Sequence, residues 1–197
     1  MNFAVLASGN GSNLQAIIDA IKKKKIRSKL NVVVSDNKNA FALTRALKAS
    51  ISTVVVDPKA FQDRKEMDKT IVKELKRFGV DFVVLAGYMR ILSPYFVKAY
   101  KEKILNIHPA LLPLFKGAHA IKDAFDAGVK TTGVTVHFVD EKVDHGLIVM
   151  QESLKIKKGE SLKSLEARIH KIEHKIYPKA ISFFEDKKLK IIRRKVK

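Results

Sequence analysis

The segment NIHPALLP, residues 106–113, sets an amide and an imidazole two positions apart and then closes with Pro109 and Pro113. It follows the apolar pair Ile104 and Leu105, so it reads as the end of a strand. On a strand, residues two apart share a face, and Asn106 and His108 would therefore point together. An amide N–H and an imidazole so placed can stabilise an oxygen on which negative charge develops. A carboxylate is available in DEKVDHG, residues 140–146, an acidic turn in a very basic chain. Brought beside His108, Asp144 would fix the imidazole tautomer and favour the imidazolium. The chain has no Cys and no Ser in a nucleophile-elbow context. The three residues together thus point to acyl transfer in which the substrate itself supplies the nucleophile. The structural alternative is that His108 caps a turn, Asn106 satisfies loop backbone and Asp144 is a solvated turn residue ahead of Gly146.

A second constellation stands at the start of the chain. ASGNGSN, residues 7–13, lies between an apolar run and a helical pattern, the place where doubly wound folds bind phosphate on backbone N–H groups at a helix N-terminus. Gly9 and Gly11 allow close approach, and Ser12 and Asn13 can add side-chain donors. No Lys follows the second glycine, and Leu14 occupies the place of a third glycine. The loop is therefore neither a Walker loop nor a complete dinucleotide fingerprint, and it favours a single phosphate. A tight strand–helix turn with a Ser or Asn cap is the equally weighted alternative.

The elements that must carry these residues follow from periodicity. Apolar runs at 2–7, 30–35, 52–57 and 81–86 alternate with helical patterns at 12–25, near 40–48 and near 61–78. Val-rich continuous strands separated by helices predict a parallel sheet covered on both faces. A short helix near 94–100 leads to KILNIH. The pattern then changes: GVTVHFVD (133–140) alternates in period two and LIVMQESLKI (147–156) follows a turn, which predicts an antiparallel hairpin added to the sheet. A long helix over 161–184, broken near Pro178, closes the fold. With no linker and no repeat, residues 1–197 read as one domain.

The 197 residues are 46% hydrophobic, as expected of a globular chain with a sizeable core. Absence of Cys excludes disulfides, thiolate catalysis and Cys-bound zinc, and the lack of a signal-like or membrane-spanning run favours a cytoplasmic protein. The net charge of +19 raises nucleic acid as a partner. The lysines, however, are spread out, save for KKKK at 22–25 and the C-terminal DKKLKIIRRKVK, and no aromatic interleaving or nucleic-acid motif accompanies them. The charge reads as a solvated surface biased toward small anions, with a basic nucleic-acid-binding module as the competing reading. HKIEH (170–174) fits an inverted zinc-protease pattern, but the apolar stripe Leu165, Ile169, Ile172 and Ile176 points elsewhere. Glu173 lies at the edge of that stripe, placed to bond a sugar hydroxyl or to pair with a neighbouring Lys. His137 alternates with Val136 and Phe138 and reads as a core histidine or a support behind the site. His119 is placed in a loop that lines the cleft, and His145 is expected to be exposed.

Taken in order, SGNGSNLQAII, LAGYMRILS (85–93), LNIHPALLP (105–113), GVTVHFVDEKVDHG (133–146) and EHKIYP (173–178) resemble the phosphoribosylglycinamide formyltransferase family of purine biosynthesis, over nearly the whole chain. The resemblance implies a Rossmann-like first part (about 1–100), a catalytic and folate-binding second part (about 101–197), and formyl transfer from the cosubstrate 10-formyltetrahydrofolate to the amine of glycinamide ribonucleotide, without a metal. It implies Asn106, His108 and Asp144 as the catalytic trio, Gly11, Ser12 and Asn13 on the phosphate, and Glu173 on the ribose. Met89, Arg90, Ile91 and Leu92, with Val139, Asp140 and the loop to Asp144, would hold the pterin, and Arg64 would lie near the folate tail. Two positions depart from the family pattern: Ala110 where Ser is usual, and His145 where Gly is common. A formyltetrahydrofolate hydrolase would be expected to carry a regulatory domain before the glycine loop, and an initiator-tRNA formyltransferase a further C-terminal domain. The resemblance leaves a homodimer open, and no membrane partner is expected.

Overall fold

The computed structural model describes residues 1–186; the basic run at 187–197 lies outside them. Seven strands form one sheet: β1 (Asn2–Leu6), β2 (Lys29–Ser35), β3 (Ser52–Val55), β4 (Phe82–Leu85), β5 (Ile104–His108), β6 (Thr131–Phe138) and β7 (Ile148–Lys155), in the order β3-β2-β1-β4-β5-β6-β7. The first five strands pair in parallel. β6 and β7 add antiparallel to the edge of β5, so the expected hairpin is present. Six α-helices connect or close the strands: α1 (Ser12–Lys22), α2 (Phe41–Lys48), α3 (Arg64–Arg77), α4 (Pro94–Ala99), α5 (Ala120–Asp126) and α6 (Leu162–Glu185).

Period-two alternation sorts the core into two layers. Phe3, Val5, Val33, Phe82, Val84, Leu105 and Ile107 pack with residues of α1, α2 and α6. Ala4, Leu6, Val32, Val34, Val83, Leu85 and Ile104 pack with residues of α3 and α4. Asn106 and His108 have the parity of Ile104, and His137 that of Thr135, so all three stand on the face covered further along the sheet by α3 and α4. The strand order reverses between β1 and β4. The glycine loop therefore leaves the sheet at its switch point, where open α/β sheets bind ligands.

One expectation is corrected. The helix does not break near Pro178: α6 runs unbroken from Leu162 to Glu185 with Pro178 inside it. An internal proline forfeits one backbone bond at a cost of roughly 3 kcal/mol, but Pro178 is flanked by the buried Ile176, Tyr177, Ala180 and Ile181, and tertiary packing outweighs the local loss. His119 stands in the turn ahead of α5, at the N-cap position, in agreement with its expected loop placement. The seven residues of α5 are too short for periodicity to show.

α6 is tied to the sheet beneath the site. The Tyr177 hydroxyl, fully buried, lies 2.7 Å from the Leu85 carbonyl and 3.0 Å from the Leu105 carbonyl, at the last paired positions of β4 and β5 before Asn106. Burial pushes this phenol far above its usual range, so it stays a donor. Tyr177→Phe leaves buried carbonyls short of a donor and is expected to lower stability by about 1–3 kcal/mol, read as a lower urea midpoint at unchanged slope.

Candidate active site

Asn106 and His108 close β5, and the antiparallel register sets Asn106 opposite His137 on β6. The side chains meet as the register requires, with Asn106 Nδ2 3.1 Å from His137 Nε2. His137 Nδ1 lies 2.8 Å from the Phe138 carbonyl, which can only accept, so Nδ1 carries a proton and Nε2 is the ring atom turned to Asn106 and Asp144. His108 Nε2 likewise donates to the Phe115 carbonyl at 2.7 Å. Its Nδ1 stands 3.4 Å from Asp144 Oδ2, while His137 Nε2 stands 3.5 Å from Asp144 Oδ1.

Asp144 is the centre of this group. Its side chain is 9% exposed, against 4% and 2% for His108 and His137. The residue takes a left-handed conformation, φ 48°, which Asp tolerates better than most residues. That bend turns the carboxylate inward from the 140–146 turn, where the Gly117 N–H also donates to it at 2.9 Å. Gly146 lets the turn close: a Cβ there would meet the Phe138 carbonyl oxygen at 1.8 Å. Burial pushes the Asp144 carboxyl up. The His137 ring, the Gly117 N–H and the charges of His108 and His137 together outweigh burial and hold it below the usual 3.8.

At the other end of the site, Gly11 adopts φ 73° with α2 packed so closely that a Cβ would lie 2.7 Å from the Ala42 Cβ. Gly11 is the N-cap of α1 and no side chain caps that end, whereas Asp63, Ser93 and Ser161 cap α3, α4 and α6. The first-turn N–H groups of α1 lack intrahelical partners and stand ready for an anion. Asn13 Nδ2 donates to Glu173 Oε2 at 3.0 Å, and His170 Nδ1 contacts the same oxygen at 2.8 Å. Glu173 is 4% exposed, and Asn13 Oδ1 is buried without a hydrogen-bond partner. The glycine loop and α6 thus meet through one carboxylate. Its hydrogen bond raises the half-exposed His170, while burial lowers His174. The His170 and His174 rings stack 6.5 Å apart. Among the described residues, no group of three or more His, Cys, Asp or Glu side chains is placed to hold a metal ion.

Ser8 links the glycine loop to the turn after β4: its N–H donates to the Gly87 carbonyl and its Oγ accepts from the Met89 N–H at 2.9 Å. A cavity of about 540 Å³ opens beside that turn, lined by Arg64, Met89, Arg90 and Ile91 with Asp36 and Asp68. Met89 and Ile91 are 71% and 57% exposed, apolar surface waiting for cover. Arg90 is held by Asp36 at 2.8 Å. Leu92 is buried in the layer under α3 and α4, so only its backbone is available to a ligand. Val139 packs partly buried against the same layer. Asp140 binds His145 at 2.8 Å and the Lys142 N–H, so His145, on the surface as expected, braces the turn. Ala110 contributes its carbonyl, which accepts from Thr135 Oγ1 at 2.6 Å.

His137 belongs to the cluster directly, in contact with Asn106 and within 3.5 Å of Asp144. Its strand parity, opposite to Val134, Val136 and Phe138, was the available signal. The Gly117 and Phe115 contacts come from an irregular loop that carries none. Because the folded-state carboxyl of Asp144 is depressed, its stabilisation is present above the ordinary carboxylate value and is lost as pH falls through the lowered one. The stability difference between wild type and Asp144→Asn is therefore expected to hold constant at neutral pH and to shrink below about pH 4, measured by urea unfolding across that range.

The chain matches the formyl transferase family over residues 1–181. It is 44% identical to the phosphoribosylglycinamide formyltransferase of Escherichia coli K12, across 97% of this chain and 90% of that protein. It is 45% identical to a segment of the human trifunctional purine biosynthetic protein adenosine-3, across 90% of this chain and 18% of that protein. The crystal structure of glycinamide ribonucleotide transformylase 1 from Symbiobacterium toebii superposes with a TM-score of 0.96 at 41% identity, covering 98% of this chain and 92% of that one. With its sheet order, its glycine loop and its Asn106–His108–Asp144 cluster, the chain belongs to the formyl transferase family, among the phosphoribosylglycinamide formyltransferases.

Proposed function

We propose that the Asn106–His108–Asp144 cluster carries direct formyl transfer from 10-formyltetrahydrofolate to the amine of glycinamide ribonucleotide. The observation that supports this reading most is the largely buried Asp144 carboxylate, set between two imidazoles, one of which contacts the Asn106 carboxamide. The substrate amine attacks the formyl carbon, and the carbonyl electron pair moves to oxygen. Asn106 Nδ2–H and a His108 ring N–H meet that oxyanion. His108 Nε2 reaches it once the Phe115 carbonyl, its present acceptor, is displaced. Both nitrogens of His108 face oxygen acceptors, an arrangement that a doubly protonated ring satisfies. Asp144 balances that charge and organises, through water, the proton that passes from the attacking nitrogen to the leaving folate nitrogen as the C–N bond breaks.

Gly11, Ser12 and Asn13 take the substrate phosphate on the uncapped end of α1, and Glu173, already bonded to Asn13, faces the ribose. The cavity beside Met89, Arg90 and Ile91 takes the pterin, with Arg64 nearest the tail carboxylates; Leu92, Val139 and Asp140, which do not line it, meet the folate in this reading through their backbone. Residues 1–197 act as one domain in this reading, in the cytoplasm. No helix among the described residues is long and apolar enough to cross a membrane.

An assay with both substrates, following release of tetrahydrofolate, tests the activity. Loss of one oxyanion donor typically raises a barrier by about 2.7–4 kcal/mol, a factor of roughly 10² to 10³. Asn106→Ala and His108→Ala are each expected to lower kcat by that factor; Asn106→Ala should leave the thermal midpoint within a few degrees, whereas His108→Ala should also lower it, because it strips a nearly buried partner from Asp144. Near-normal turnover in both variants contradicts the assignment.

A further inference from the structure

The glycine loop is held from outside by one side chain that the reaction itself does not require. Arg45, half-buried on α2, donates from Nε to the Asn10 carbonyl at 2.9 Å, from Nη2 to Asn10 Oδ1 at 3.1 Å and from Nη1 to Gln15 Oε1 at 3.1 Å. Its guanidinium carbon lies 4.7 Å from the centre of the Phe41 ring. These partners are a backbone carbonyl, two side-chain amide oxygens and a ring; none is a carboxylate. The nearest acid in the network, Asp19, is reached only through Gln15, whose Nε2 donates to it at 3.0 Å. Asn10 lies between Gly9 and Gly11, and Gln15 one residue beyond the first turn of α1, so the planar fork spans the loop from one side to the other. The Gly9 carbonyl accepts from the Ala42 N–H at 3.1 Å, which fixes the start of α2 against the same loop. Arg45 also borders, with Ser12, Gln15 and His174, the cleft of about 750 Å³ between α1 and α6.

We propose that Arg45 is a positioning residue for the phosphate subsite. Its fork fixes Asn10 and Gln15 so that Gly11, Ser12 and Asn13 present their N–H groups in one orientation. Its charge, balanced in the free protein only by neutral groups, is completed by the phosphate of the ribonucleotide. A charged donor aimed at neutral acceptors strengthens when an anion arrives behind them. Lys would keep the charge but not the rigid, multiply donating fork. This inference rests on the phosphate assignment of the preceding section.

The test compares Arg45→Met and Arg45→Lys with wild type, each ribonucleotide and folate substrate being varied in turn. Arg45→Met is expected to raise KM for glycinamide ribonucleotide by roughly 10- to 100-fold, the loss typical of a charge-assisted contact. Its kcat should change by less than about threefold and KM for the folate should not move, the pattern of lost uniform binding. Arg45→Lys should lie between. Titration calorimetry with inorganic phosphate should show the same ranking of affinities. A ribonucleotide KM unchanged in Arg45→Met, or equal losses in both KM values and kcat together with a lowered melting point, overturns the proposal, the second pattern marking a brace with no tie to phosphate. If wild type transfers no formyl group, the proposed function fails. The phosphate titration then still decides Arg45, with weakened binding in both variants supporting it and unchanged binding overturning it. Should Arg45→Met not fold, Arg45→Lys and Arg45→Gln are read by the same criteria.

Discussion

A carboxylate that is 9% exposed, standing between two almost wholly buried imidazoles, is the interaction on which the site depends. An ion of that size costs several kcal/mol to bury unless its partners compensate. Here the compensation comes from three separated segments: His108 at the end of β5, His137 on β6 and the Gly117 N–H from the loop between them. Asp144 can reach all three only because its own backbone is left-handed and Gly146 allows the turn to fold back on Phe138. The chemistry of the cluster and the shape of the 140–146 turn are therefore one constraint.

The sheet explains why these residues can meet at one end of the strands. Parallel strands release their loops at one end, and the reversal of strand order between β1 and β4 leaves a crevice there. The antiparallel β6 and β7 extend the β5 edge, and α3 and α4 cover the same face only further along the sheet. Asn106, His108 and His137 thus share a face on which the 115–117 loop and the 140–146 turn, rather than a helix, supply the contacts. Tyr177 beneath them and Ser8 beside them tie α6 and the glycine loop to the same strand ends. In the proposed reading, substrate phosphate, ribose and formyl carbon meet elements that the core already holds in register.

Most of this frame was legible in the sequence because it rests on period. Val32, Val33 and Val34 announce a strand buried on both faces, and Thr135 with His137 against Val134 and Val136 announces a two-sided one. The glycine loop showed itself by what it lacked, a Lys or a third Gly. Asn106 and His108 were visible as a pair, but spacing along β5 says nothing of β6, so the register that gives Asn106 to His137 was not visible. Pro178 misled because its cost is local while the packing around Ile176, Tyr177 and Ile181 is not. Arg45 carried no signal: an Arg on the outside of an amphipathic helix looks like any solvated cation until Asn10 and Gln15 are placed beside it.

The central claim is that Asp144 and His108 act as one unit, and a double-mutant cycle on kcat/KM tests it most directly. Removing either member of a unit should cost about as much as removing both. The account therefore expects Asp144→Ala combined with His108→Ala to be no more than a few-fold worse than the more damaging single variant. If the two losses instead multiply, the carboxylate and the imidazole work independently and the account is contradicted.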